Sequence, residues 1–340
     1  MKDSSVAVIV ALSCVVFFAI EAVSGPPVAH WSIERGSTPE VVKLELLKRD
    51  GGSRHQTTRS DFPLRDLKGL TRAQMDSLRS TVKFEIARDT GKLLCEGSFV
   101  LGTGSGNFTF QPNPDFVAAM TKLGYDDLTQ DVLFSMALDE VGLEFARAAR
   151  GNGRGLVSVR ELLSMRHHGV TADYIQQLRA LGYEDYSAED FKRLKSHGVT
   201  AQFVRELKDS GYVLSSEEFA RLRSHGVEPR FAAELKQAGH DLAPDELIKL
   251  RNHGVSAQFA RELKDLKLPV DDLTKLRDNG VPPEFVRQAR ELGYERFRTD
   301  ELVRLHHHGV NGDYLRRLQG GGLKNLNVEQ IVKLKTHGID

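Results

Sequence analysis

The spacing of apolar residues changes twice along the chain. Val6 to Ile20 is a nearly unbroken apolar run of fifteen residues. From His30 to Asn113 apolar and polar positions alternate, as in Val42, Leu44 and Leu46 against Lys43 and Glu45, or Val82, Phe84 and Ile86 against Lys83 and Glu85. Period two predicts strands with one buried face. Beyond Asn113 the apolar positions fall three and four apart, the spacing of helices. The pattern therefore predicts an α+β chain: a leader over residues 1–24, a small β-rich domain over 30–112, and an α-helical array over 113–340.

The leader is short for a membrane span, which needs about 20 apolar residues, and right for a signal-peptide core. Ala22 and Ser24 supply the small residues a signal peptidase needs before Gly25. The expectation is an exported chain, periplasmic or extracellular, with an uncleaved membrane anchor as the alternative. Cleavage would leave Cys95 as the only thiol. Placed between Leu94 and Glu96 in a strand, it reads as an inert core residue. Within the β segment, Asp50-Gly51-Gly52 and Asp89-Thr90-Gly91 mark turns. Thr71 with Gln74 forms a capping box for one short helix carrying Met75 and Leu78.

Two glycine clusters invite a nucleotide reading, Gly102-Thr103-Gly104-Ser105-Gly106 and Gly151-Asn152-Gly153-Arg154-Gly155. A phosphate loop needs a strand before it and a lysine and helix after it. Neither cluster has them, so they read as a hairpin loop and a helix connection. No GxSxG elbow or HExxH helix occurs either, and the chain is expected to be non-enzymatic, with no catalytic, cofactor or metal residues.

The strongest signal is internal repetition. His-Gly-Val or a close variant recurs with glycines at 169, 198, 226, 254, 280, 309 and 338, spaced 29, 28, 28, 26, 29 and 29. Five residues after each glycine but the last stands an aromatic: Tyr174, Phe203, Phe231, Phe259, Phe285 or Tyr314. Eight further on stands glycine again, except at Lys267. The register runs back through Phe145 to Phe116, with Asp139-Glu140 where later units have His-Gly.

Each unit reads as two short helices. Helix A opens at Ser187, Ser215 or Asn327 with Asp, Glu or Gln three residues on, the capping-box spacing. It ends at the pairs His197-Gly198, His225-Gly226, His253-Gly254 and His308-Gly309, where glycine supplies the left-handed residue and the imidazole meets the carbonyl end. Helix B starts from Thr200 or Ser256 as N-cap, or with Pro229 or Pro283 at its first position. Phe203 and Leu207 share the face to be buried. Helices of about ten residues are marginal alone, so stacking must supply the core, which defines an α-solenoid. The histidine row reads as caps rather than ligands, because helices pack about 8 to 10 Å apart and zinc needs nitrogens about 2 Å from the metal.

Charge refines this picture. Lys+Arg 47 against Asp+Glu 47 argues against nucleic acid as partner. An acid precedes a base by four residues in six A helices, from Glu189 and Arg193 to Glu329 and Lys333, which predicts i,i+4 pairs. A second basic column, Arg166, Lys195, Arg223, Arg251, Arg277 and Lys335, has no acid at that spacing; it reads either as charge complementing the helix ends or as the candidate surface for an acidic partner.

The pattern Leu-x-x-His-Gly-Val, then an aromatic, then Leu-Gly-Tyr as at Leu181-Gly182-Tyr183 and Leu292-Gly293-Tyr294, resembles uncharacterised helical repeats of bacterial envelope and signalling proteins, including repeats appended to beta-lactam-sensor-like membrane metallopeptidases. The segment with Gly106-Asn107-Phe108-Thr109-Phe110 looks like the domain that sometimes precedes them. The resemblance implies an envelope setting and no activity, since the zinc motif and multiple spans of that peptidase class are missing. The expected role is an interaction scaffold for another protein or peptide; the alternative is a sensor ectodomain acting on a membrane metallopeptidase. Any membrane contact would be through the uncleaved leader alone.

Overall fold

The computed structural model describes residues 28–50, 53–150 and 155–339. The leader, the Gly51-Gly52 turn and most of the second glycine cluster lie outside the described residues. The fold is α+β, an N-terminal β-rich region followed by consecutive helices of similar length. Contacts divide the chain into two compact units, and the division is not a single cut: residues 129–138 belong with the sheet, whereas 118–128 and everything from Asp139 belong with the helices.

The first unit holds β1 (Val28–Arg35), β2 (Val41–Asp50), β3 (Ser53–Pro63), β4 (Leu67–Lys68), β5 (Ser80–Arg88), β6 (Gly91–Val100) and β7 (Thr103–Pro112). They form one antiparallel sheet in the order β3-β2-β1-β7-β6-β5-β4. The chain passes from β3 to β4 through one 3-10 turn, Leu64–Asp66, so the two edges of the sheet are consecutive in sequence. The alternating residues do bury one face: Val42, Leu44, Leu46, Val82, Phe84 and Ile86 are all inside. Trp31 is 1 % exposed and lies 5.0 Å from the Phe84 ring, while its indole N–H donates to the Glu96 carbonyl at 3.2 Å.

The first glycine cluster is only partly a loop. The hairpin turn is Leu101-Gly102, both left-handed with φ 50 and 88, whereas Gly104 and Gly106 sit inside β7. There Gly104 makes room for a ring and Gly106 for neighbouring backbone. A Cβ on Gly104 would lie 2.5 Å from the Phe99 ring, and one on Gly106 would lie 2.0 Å from the Glu96 carbonyl oxygen. Helix α1 (Arg72–Asp76) has the expected Thr71–Gln74 capping box and buries Met75. Leu78 departs from expectation: extended Ser77 ends the helix first, and Leu78 is left 80 % exposed. Helix α2 (Pro114–Lys122) follows the sheet. Helix α3 (Gln130–Leu138) covers the inner face, with Phe134 stacked on Phe108 at 5.6 Å and Asp131 paired with Lys48.

In the second unit the helices alternate between two rows. Row B comprises α4 (Leu143–Arg150), α6 (Ala172–Ala180), α8 (Ala201–Asp209), α10 (Pro229–Gln237), α12 (Ala257–Glu262), α14 (Pro283–Glu291) and α16 (Gly312–Gly320). Row A comprises α5 (Val159–His167), α7 (Ala188–Ser196), α9 (Ser216–Ser224), α11 (Pro244–Asn252), α13 (Val270–Asp278), α15 (Thr299–His307) and α17 (Val328–Thr336). Each helix packs on the next of its own row, as in a solenoid.

Local chemistry explains the unit. Ser158, Ser187, Ser215 and Asn327 each close a capping box, worth about 1 kcal/mol for the cap. At the other end His197 is the C-cap, Gly198 is left-handed with φ 68, and the Val199 N–H bonds back to the Leu194 carbonyl at 2.9 Å. That is a Schellman motif, and the buried valine is its apolar seal. The same geometry recurs at His225-Gly226-Val227, His253-Gly254-Val255 and His308-Gly309-Val310. Two positions perform the glycine's task with a side chain present, Glu140 at φ 55 and Lys267 at φ 44.

Candidate interaction surface

The basic column is placed against the array itself. Five of the six cations lie over the aromatic ring of the preceding unit: Arg166 over Phe145 at 5.5 Å, Lys195 over Tyr174 at 4.6 Å, Arg223 over Phe203 at 5.6 Å, Arg251 over Phe231 at 5.9 Å and Lys335 over Tyr314 at 4.4 Å. Arg277 instead donates to the Gly254 carbonyl at 3.0 Å, and Arg166 reaches the Asp139 carbonyl at 2.9 Å. Arg223 also pairs with Glu228 at 2.9 Å. The column is therefore a series of clamps between neighbouring units. A cation over a ring contributes about 0.5 to 1 kcal/mol at exposed sites. It also faces the carbonyl end of the helix before it, where positive charge is favoured.

The acid-base pairs follow the same rule. In α7 the pairing stays within the helix but at i,i+3, Glu189 with Lys192 and Asp190 with Arg193, whereas from α9 to α15 the expected i,i+4 pairing gives way to bridges onto the next unit: Arg221 to Asp245, Lys249 to Asp271, Lys275 to Asp300 and Arg304 to Glu329, the last at 2.8 Å. Both partners sit on the outer edge of stacked A helices, so the neighbouring helix offers its acid within reach. Lys249 holds the Asp271 carboxyl, and Lys275 the Asp300 carboxyl, below the usual carboxylate range, chiefly by hydrogen bonding. At Asp190, burial raises the pKa, but bonds from Ser187 and Ser216 and the charge of Arg193 lower it further, so the net shift is downward.

The histidines divide between two tasks. His168 and His337 bond the carbonyls four residues back in their own helices, at 2.8 and 2.7 Å. His197, His225 and His253 reach forward to Ser224, Asn252 and Asp278, at 2.8, 3.2 and 2.8 Å. Asn279 caps its own helix through the Lys275 carbonyl at 2.8 Å. Among the described residues no three His, Cys, Asp or Glu side chains converge as a metal site, and no helix is long and apolar enough to cross a membrane. Cys95 is buried, which pushes its thiol up to about 12.

Sequence reasoning missed a second ladder, on row B. Arg179 donates to the Ala148 carbonyl, Lys208 to the Leu181 carbonyl and Gln319 to the Leu292 carbonyl. These residues stand ten positions after the turn glycine, a regularity visible in the aligned units, but the reach to a preceding helix end is a tertiary fact. No protein-family model matches the chain, and no curated protein matches it.

Proposed function

We propose that the chain is a non-enzymatic exported protein whose helical array is a docking scaffold for another protein or peptide. The observation that carries this reading is a division, within each unit, between positions that repeat and positions that vary. The residue after the turn glycine is valine in six units, and all six are buried. The residue four after it is exposed in every unit and reads Asp173, Gln202, Arg230, Gln258, Glu284 and Asp313. A constant frame with a varied outer face lets a stacked surface be particular to one partner. Export rests on the leader, residues 1–24, and an envelope setting on the resemblance of the repeats.

The test is a photo-crosslinking residue placed in turn at Arg230, Gln258 and Glu284 of the full chain, followed by irradiation of envelope preparations. One partner captured from adjacent positions supports the scaffold; no adduct at any of the three, or equal capture from Lys83 in the sheet, overturns it. Arg223→Glu, Arg251→Glu and Arg277→Glu together form a poor surface probe, because they remove clamps. We expect that triple variant to lower the array's Tm before it alters any partner.

A further inference from the structure

The ladder is missing at more than one joint of row B: Arg290 donates within its own unit to the Glu295 carbonyl, and the joint at Gly239 is open. At two turns a base of the following unit comes close: a Cβ on Gly182 would lie 3.3 Å from Lys208 Nζ, and one on Gly211 would lie 2.7 Å from Lys236 Nζ. At Gly239, where Lys264 stands at the equivalent position, nothing lies within 4 Å of such a Cβ. Helix α12 stops early at Glu262 and continues as a 3-10 turn over Lys264–Leu266.

The cause is linker length. From the left-handed residue to the next N-cap the chain runs five positions at Gly182 to Ser187 and four at Gly211 to Ser215, but two at Lys267 to Pro269. A shorter linker must still reach the next A helix. The last turn of α12 supplies length by opening, since a 3-10 helix rises about 2.0 Å per residue against about 1.5 Å for an α-helix.

The withdrawn helix end leaves a cleft of about 540 Å³, lined among others by Gly239, His240, Asp241, Lys264, Asp265 and Lys267. His240 replaces the tyrosine of Tyr183, Tyr212 and Tyr294, and its Nε2 is buried with no partner. Tyrosine hydroxyls at this position are also buried, but His240 is the one that lines an open cleft. Asp241 is engaged by Lys236 at 3.5 Å. With Lys236 counted beside Asp241, three ammonium groups stand against two carboxylates around the cleft, a net positive charge.

We propose that this cleft binds a carboxylate of an acidic peptide segment, held by the Lys264 and Lys267 ammonium groups beside the His240 ring in the cleft wall. Hydrogen bonds to a charged acceptor are the strong ones. The proposal rests on the docking reading above and sharpens it to one joint and one partner chemistry.

The test titrates the full chain with a blocked hexaglutamate peptide, and with hexalysine as control, while following the His240 ring resonance. Lys264→Gln with Lys267→Gly removes both ammonium groups, and glycine at 267 relieves the left-handed strain, so loss of fold does not confuse the result. We expect hexaglutamate to move the His240 signal, the double variant to bind at least about tenfold more weakly, and its Tm to be unchanged or higher. Binding within about twofold of the parent, a stationary His240 signal, equal binding of hexalysine, or no hexaglutamate binding up to about 1 mM overturns the proposal. If crosslinks from Arg230, Gln258 and Glu284 persist in that double variant, the scaffold stands and only the cleft fails.

Discussion

The two units solve one problem, burying apolar surface from short elements, by opposite means. In the sheet, His30 of the first strand lies opposite Asn107 of the last, so order depends on partners far apart in sequence. In the array every tie joins neighbours: Lys195 to Tyr174 behind it, Arg221 to Asp245 and His197 to Ser224 ahead of it. A structure of the first kind is lost as a whole, whereas nearest-neighbour stacking responds locally. The sheet also depends on a few shapes that admit no substitute, and the array on many interchangeable contacts.

The largest expected effect breaks the sheet alone. Gly106→Val places a side chain against the Glu96 carbonyl and beside Gly97, where no rotamer helps, and should cost more than about 4 kcal/mol. Trp31 is the one tryptophan, so its fluorescence reports the sheet, while helical ellipticity should persist from the array. Cys95 should resist thiol reagents in the native chain and react in this variant, because burial holds its thiol protonated. Loss of both signals together would refute the separation of the units.

Next in size, Phe219→Ala removes a fully buried ring from α9 and should cost about 3 to 5 kcal/mol. Hydrogen exchange should rise in α7, α9 and α11 and not in the sheet. Smaller again are the turns. Gly226→Ala, at φ 68, should lose about 1 kcal/mol, and Glu140→Gly should gain a similar amount by the reverse argument, both read from Tm. The smallest effect is the ladder: a double-mutant cycle of Arg221→Gln with Asp245→Asn should give about 0.2 to 1 kcal/mol of coupling that fades with salt. Coupling of Arg221 to Glu217 instead would restore the within-helix pairing. Acid should loosen the array through Asp190. Its pKa is depressed in the folded chain, so the stability it adds is present above the ordinary aspartate value and lost as pH falls below that.

Much of the frame is legible because it is local. The capping serines, the proline at the first helical position and the His-Gly-Val turn act within a few residues, so Ser187, Pro229 and Gly198 declare their roles without any knowledge of the fold. Period two in β2 and β5 likewise marks the buried face. What failed to be legible was choice of partner. Arg221 sees Glu217 in its own helix and Asp245 in the next unit, and spacing alone favours the first.

By itself, then, the sequence determined the repeat, its turns and caps, and the faces to be buried, because these depend on backbone conformation and solvent preference over a few residues. Only the tertiary structure decided that the basic column clamps aromatic rings, that the acids answer the preceding unit, and that two missing linker residues open a cleft beside Gly239. Each of these depends on the distance between residues twenty or more positions apart, which stacking sets and local spacing does not.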